Sequence, residues 1–196
     1  QPTTPLVGVY DLHAILANVP KPYILVAHSY GGLIARLYTS LYPNEVVGLV
    51  LVDTLTEFLY DKLTPSQQQL WLKLNSNYSI DLDMFLIQER TDLVKSFDQL
   101  RKAKPLNPLP SVVLTSDEPY DFKSLIEQGI LPKDAPVDFG PLLFQAHLDG
   151  QKRLVQLLNA KAITETHAGH YIQTEQPQLV IDAIKDILTK TKKGEQ

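Results

Sequence analysis

The sequence predicts an α/β fold in which a parallel sheet is flanked by helices. Three observations carry that prediction. Residues 23–27 form a short apolar run rich in strand formers, after which Leu33, Ile34, Leu37, Tyr38 and Leu41 recur at helical spacing. Residues 46–52 form a second apolar run without alternation, the pattern of a parallel strand covered on both faces. Further strand signals over 111–115 and 160–166 alternate with helical stretches rather than with hairpin turns.

The elements follow in chain order. Thr4 and Pro5 make a helix start, with Thr as N-cap and Pro at the first helical position. Leu6, Val9, Leu12, Ile15, Leu16 and Val19 supply its apolar stripe, and Asn18 and Pro20 end it. The first strand turns at Ser29 into a helix that Pro43 and Asn44 close, and the second strand ends at Asp53. Thr64-Pro65-Ser66-Gln67 reads as a capping box, with Leu70, Trp71 and Leu74 continuing that helix. A further helical pattern over 83–100 carries Met84, Ile87, Leu93, Val94 and Phe97. No strand signal interrupts residues 54–107. The proline-rich stretch 105–110 is a stiff linker into the third strand, and the stretch with Pro119, Pro132 and Pro136 has no assigned element. Residues 141–158 are expected to be helical, with an interruption or bend near Gly150. The last helix spans 176–189, with Val180, Ile184, Ile187 and Leu188 on its inner face.

Composition excludes several classes of function. A chain of 196 residues suits one domain with a sizeable core, and 44% hydrophobic with 20% charged residues is ordinary for a globular protein. A net charge of −4 and the lack of a basic stripe argue against nucleic-acid binding. The only basic cluster, residues 190–193, reads as a solvated helix end. With 0 cysteines there are no disulfides, no thiolate metal site and no cysteine nucleophile, which leaves the compartment open. No apolar run approaches the roughly 20 residues of a membrane span, and a soluble, cytoplasmic setting is slightly favoured. The first residue is Gln1, without a signal-peptide pattern, so the chain is expected to be processed, excised or incomplete.

Strand, tight turn and buried helix around one serine make the context of a nucleophile elbow. Such a turn lifts the Ser29 hydroxyl clear of the backbone and tolerates only small neighbours two residues away, here Ala27 and Gly31. The free N–H groups of the helix that follows point back at the turn, where an oxyanion would form. The Tyr30 backbone N–H is the nearest such donor. An unassisted serine hydroxyl is a poor nucleophile, so a base is required to take its proton.

The run His28-Ser29-Tyr30-Gly31-Gly32, with Leu41-Tyr42-Pro43 and the strand Gly48 to Asp53 behind it, resembles the α/β-hydrolase family. Ala168-Gly169-His170-Tyr171-Ile172, followed by Glu175-Gln176-Pro177, resembles the segment that carries that family's catalytic histidine. The resemblance covers nearly the whole chain. It implies a hydrolase core over 1–53 and 108–196, and a helical lid or cap over 54–107, a stretch longer than the roughly dozen residues a crossover needs. It also implies several strands upstream of residue 23, where this chain has room for one helix. The chain is accordingly expected to be the C-terminal part of a longer hydrolase.

Five histidines compete for the base. His13 and His147 lie on helical stretches and are expected at the surface or in packing, and His28 is expected to be structural. His167 and His170 share the loop after the last strand, and the family match favours His170. An H-x-x-H metal pair is the alternative for these two, without a third ligand in sight. Two carboxylates remain open as the orienting acid: Asp53, at the end of the strand after the nucleophile, is favoured, with Asp117 as the alternative. Asp117 ends the next strand, but its surroundings lack the glycine-then-acid turn usual there.

The resulting expectation is a serine hydrolase acting on a small-molecule carboxylic ester or related acyl compound, without cofactor or metal. The alternative is a non-catalytic or incomplete scaffold with an impaired oxyanion hole. Strand 23–27 is expected to present an exposed edge, and with it self-association.

Overall fold

A computed structural model describes residues 3–76 and 91–194 of the chain. Thr4 stands in extended conformation ahead of helix α1 (Pro5–Ile15), with Pro5 at the first helical position and Val9 fully buried. A 3₁₀ turn over Leu16–Asn18 follows. The Tyr23 hydroxyl ties it down by donating to the carbonyls of Leu16 and Val19, each at 3.0 Å. Strand β1 (Tyr23–His28), helix α2 (Gly31–Leu41) and strand β2 (Val46–Val52) then form the first β-α-β unit. Three helices come next: α3 (Glu57–Lys62), α4 (Pro65–Ser76) and α5 (Leu93–Lys102). The second half carries β3 (Ser111–Leu114), α6 (Phe122–Glu127), α7 (Phe139–Leu158), β4 (Lys161–Ile163), α8 (Ile172–Glu175) and α9 (Pro177–Gly194).

The sheet is parallel throughout, in the order β1-β2-β3-β4. Helices cover both faces. Leu49, Leu51 and Val113 belong to the apolar cluster shared with α1, α2, α3 and α7, whereas Val50, Val52, Val112 and Leu114 face α8 and α9. Two buried faces explain why these strands read as unbroken apolar runs instead of alternating ones. All four strands point the same way, so the loops that follow them converge along one rim, where open α/β sheets gather their functional groups.

The capping box forms as read: the Thr64 N–H donates to Gln67 Oε1 at 2.8 Å and the Gln67 N–H to Thr64 Oγ1 at 3.4 Å. Helix α5 packs on α1 and α2 and caps itself through Asp92, whose carboxylate accepts from the Lys95 N–H at 2.9 Å. The helical pattern expected over 83–100 is thus seen from Leu93 onward; Met84 and Ile87 lie outside the described residues. Helix α6 occupies part of the proline-rich stretch that carried no assigned element, started by Asp121 accepting from the Ser124 N–H at 3.0 Å.

Expectations fail at several points: Leu188, expected on the inner face of the last helix, is exposed, and the last strand covers only Lys161–Ile163 of 160–166. Helix α7 runs unbroken through Gly150. The glycine serves packing, since a Cβ there would stand 2.7 Å from Thr56 Oγ1 and 2.9 Å from the Leu59 backbone nitrogen. Only a residue without a side chain lets α3 approach α7 this closely, so the glycine marks a contact and not an interruption. Nearby, Arg36 of α2 and Glu57 of α3 form a buried bidentate pair at 2.7 and 2.8 Å. Among the described residues no helix is long and apolar enough to cross a membrane.

Candidate active site

Ser29 sits between β1 and α2 with φ of +53°, the left-handed region that a non-glycine residue occupies only when its surroundings hold it there. Those surroundings are visible. The Ser29 N–H donates to the Val52 carbonyl at 3.3 Å, and the Ser29 carbonyl accepts from Gly32 at 3.1 Å and Leu55 at 2.9 Å. The neighbour that must be small is Gly32 and not Gly31: a Cβ on Gly32 would stand 2.3 Å from Thr54 Cβ, whereas one on Gly31 would meet only Ala27 Cβ, at 3.9 Å. The Tyr30 N–H donates no hydrogen bond among the described residues. Its side chain is anchored instead. Ser96 Oγ gives its proton to the Asp92 carbonyl at 2.6 Å, so the Tyr30 hydroxyl donates to Ser96 Oγ at 3.0 Å. That bond links α5 to the serine turn.

The loop after β4 brings His170 to Ser29, with Nε2 at 3.0 Å from Oγ. The opposite ring nitrogen, Nδ1, donates to Asp53 Oδ2 at 2.7 Å. That donation leaves Nε2 of the neutral ring with its lone pair toward the Ser29 hydroxyl. His167 stays apart from this contact chain, at φ +48° with its side chain largely exposed. Among the described residues no three His, Cys, Asp or Glu side chains gather as a metal site.

The two candidate acids occupy different surroundings. Asp53 is 1% exposed, at φ +42° immediately after β2. Its Oδ1 accepts from the Ser116 N–H at 2.8 Å and from His147 Nε2 at 2.8 Å, while Oδ2 accepts from His170. Asp117 instead faces the 166–168 backbone of the loop after β4. Its carboxylate accepts from the N–H groups of His167 and Ala168, both at 3.1 Å, and from the Thr166 hydroxyl at 3.2 Å.

Electrostatics follow from these contacts. Burial pushes the Asp53 carboxyl upward, but the hydrogen bonds from His147 and His170, the charge of His147 and the Ser116 N–H outweigh it and hold the group well below the usual carboxylate range. Asp117 is also lowered, its desolvation outweighed by the two N–H groups and the Thr166 hydroxyl. His28 is lowered chiefly by burial. Its Nε2–H donates to the His170 carbonyl at 2.7 Å, and its ring lies against His170 with centroids 4.5 Å apart. His28 therefore supports the histidine loop, in keeping with the structural role expected of it.

Sequence reasoning missed His147. Expected at the surface or in packing, it is 4% exposed and bonded to the Asp53 carboxylate. Periodicity holds the signal, because His147 falls on the same helical stripe as Leu143, Gly150, Gln151 and Leu154, all buried.

Comparison with known proteins gives the lineage. The curated Bacillus subtilis protein YqjL, uncharacterized, is 28% identical over 113 residues, 56% of this chain and 42% of its own length. The chain spans less than half the length of the curated relatives it matches. Among solved structures, mouse alpha/beta hydrolase domain-containing protein 10 is similar at 20% identity and a TM-score of 0.55, covering 96% of this chain and 70% of its own. A Bacillus megaterium epoxide hydrolase is similar at 16% identity and a TM-score of 0.56, covering 95% of this chain and 76% of its own. At such identities the likeness is one of fold. The sequence model of the alpha/beta hydrolase family matches residues 2–183, nearly the full length, and the chain belongs to that family.

Proposed function

We propose that the chain is a serine hydrolase that cleaves a carboxylic ester or a related acyl bond of a small molecule through an acyl-enzyme, without a cofactor. The observation that carries the reading is the continuous contact from Ser29 Oγ through His170 to Asp53, at 3.0 and 2.7 Å. In the reaction, Ser29 Oγ attacks the acyl carbon while His170 Nε2 takes its proton. The carbonyl oxygen becomes an oxyanion that accepts from the Tyr30 N–H. Collapse expels the alcohol, which receives the proton from His170 and leaves the acyl group on Ser29. Water then repeats the sequence, giving up a proton to His170 and releasing the carboxylic acid. Asp53 holds the imidazole with Nδ1 protonated and stabilises the imidazolium that forms twice per turnover. In this reading residues 54–107 form the lid. It is supported by the Tyr30–Ser96 bond, which connects α5 to the residue beside the nucleophile.

A fluorophosphonate probe tests the assignment. Labelling of the wild-type chain, mapped to the peptide containing Ser29 and abolished in Ser29→Ala, is the expected result. A folded chain that never labels would instead be a non-catalytic hydrolase scaffold.

The proposal extends to self-association. Strand β1 pairs with β2 alone among the described residues, and Val26 on it is 47% exposed. An edge with unpaired backbone groups and an exposed apolar side chain is a template for a second copy. Light scattering is expected to show association that grows with concentration and weakens in Val26→Lys. A monomer at every concentration would remove this part of the proposal.

A further inference from the structure

The triad acid proposed above stands in a conformation that its own backbone disfavours. Asp53 has φ of +42°, a left-handed value that a non-glycine residue keeps only when its surroundings hold it there. Something must hold it, and helix α7 supplies the contacts. His147 donates through Nε2 to Asp53 Oδ1 at 2.8 Å. One helical turn later Gln151 donates to the carbonyl of Thr54, the next residue along. Between them Gly150 lets α7 approach Thr56 and Leu59 too closely for any side chain. The turn leaving β2 is thus gripped at 53, 54 and 56 by one buried stripe of α7.

The geometry points to His147 as a positioning residue for Asp53, one that fixes the plane of its carboxylate so that Oδ2 meets His170 Nδ1. The assignment rests on the serine-hydrolase reading, because the acid matters only if His170 works as the base. Two donors on Oδ1, from His147 and the Ser116 N–H, leave the carboxylate little freedom to rotate. Without the imidazole, Ser116 alone holds Oδ1, and rotation carries Oδ2 out of line with His170. Two further rings near His147 add no competing charge. Phe144 lies at 6.3 Å and Tyr120 at 6.0 Å between ring centroids. Burial and the Asp53 charge push the Tyr120 hydroxyl upward, so it stays neutral.

The role is that of an N–H donor at the reach of Nε2, so the test compares two amides. His147→Gln extends an amide N–H about as far as Nε2, whereas His147→Asn stops near the Nδ1 position. His147→Asn is expected to lower kcat on a small aryl ester by on the order of tenfold to a hundredfold, the cost of a misaligned catalytic group, with KM little changed. His147→Gln is expected to recover most of that loss. In the wild type, ¹⁵N-histidine spectra should show a slowly exchanging proton on His147 Nε2, a readout that needs no variant to fold. Ser29→Ala is assayed in parallel. If it is inert while both His147 variants turn over at the wild-type rate, the positioning role is overturned and the hydrolase reading stands. If Ser29→Ala matches the wild type, both fall. Equal impairment of His147→Gln and His147→Asn, or a rapidly exchanging Nε2 proton, would also overturn the role.

Discussion

Ser29→Ala and His170→Ala are each expected to lower the turnover of a small aryl ester by on the order of 10³-fold or more. Among the described residues Ser29 Oγ is the only hydroxyl in contact with His170 Nε2, at 3.0 Å, and alanine leaves nothing to carry the acyl group. Removing His170 spares the hydroxyl but leaves its proton without an acceptor, and at neutral pH an alcohol so placed attacks slowly. Because the two act as one unit, the double variant should be hardly slower than either single one. Losses that multiplied would mean that the two side chains work independently. Ser29→Ala turning over at the wild-type rate would end the serine-hydrolase reading outright. Neither substitution should affect folding much. The Ser29 backbone is held by bonds from its own N–H and carbonyl, and the His170 loop is held by His28 below its carbonyl and by Glu175, which accepts from the Gly169 N–H at 3.0 Å.

What could be read from the chain divides along a physical line. Local rules reached the strands, the serine turn and the starts of α1 and α4, because each depends on residues close in sequence. The unbroken apolar runs at β1 and β2 signal burial on two faces without reference to what covers them. The capping box at Thr64 closes within one turn. Contacts made across the fold were harder. Asp53 and Asp117 both follow a strand, so spacing left both open; their distinction lies in partners far along the chain, His170 and His147 for Asp53 and the 166–168 loop for Asp117. Gly150 suggests a bend to any reading of propensity, whereas its reason is the backbone of α3 on the other side. His147 was hidden by the same limit. A histidine on an apolar stripe reports that it is buried but not what it touches.

Asp53→Asn is the second change expected to have a large effect, lowering turnover by about 10³- to 10⁴-fold with little change in KM. The amide is nearly the same shape as the carboxylate, so the argument concerns protons. Two donors already converge on Oδ1, from Ser116 and His147, so an asparagine places its carbonyl oxygen there and turns its NH₂ toward His170. His170 Nδ1 must then accept, which puts the ring proton on Nε2, facing Ser29. A protonated Nε2 cannot take the serine proton. Charge acts in the same direction, since the amide no longer stabilises an imidazolium. The stability consequence also has a definite sign. The Asp53 carboxyl lies well below its ordinary value in the folded chain. Its ionised form therefore stabilises the fold above the unfolded carboxylate value, and that contribution is lost as pH falls through the folded value. Asn should remove this part of the acid dependence of unfolding. Asp117→Asn serves as the control. Its carboxylate braces the backbone of His167, which has φ of +48°, and Ala168, so the change is expected to cost on the order of 1 kcal/mol of stability and to leave turnover far closer to the wild type. Wild-type turnover in Asp53→Asn together with loss of activity in folded Asp117→Asn would reverse the assignment and make Asp117 the acid that orients His170.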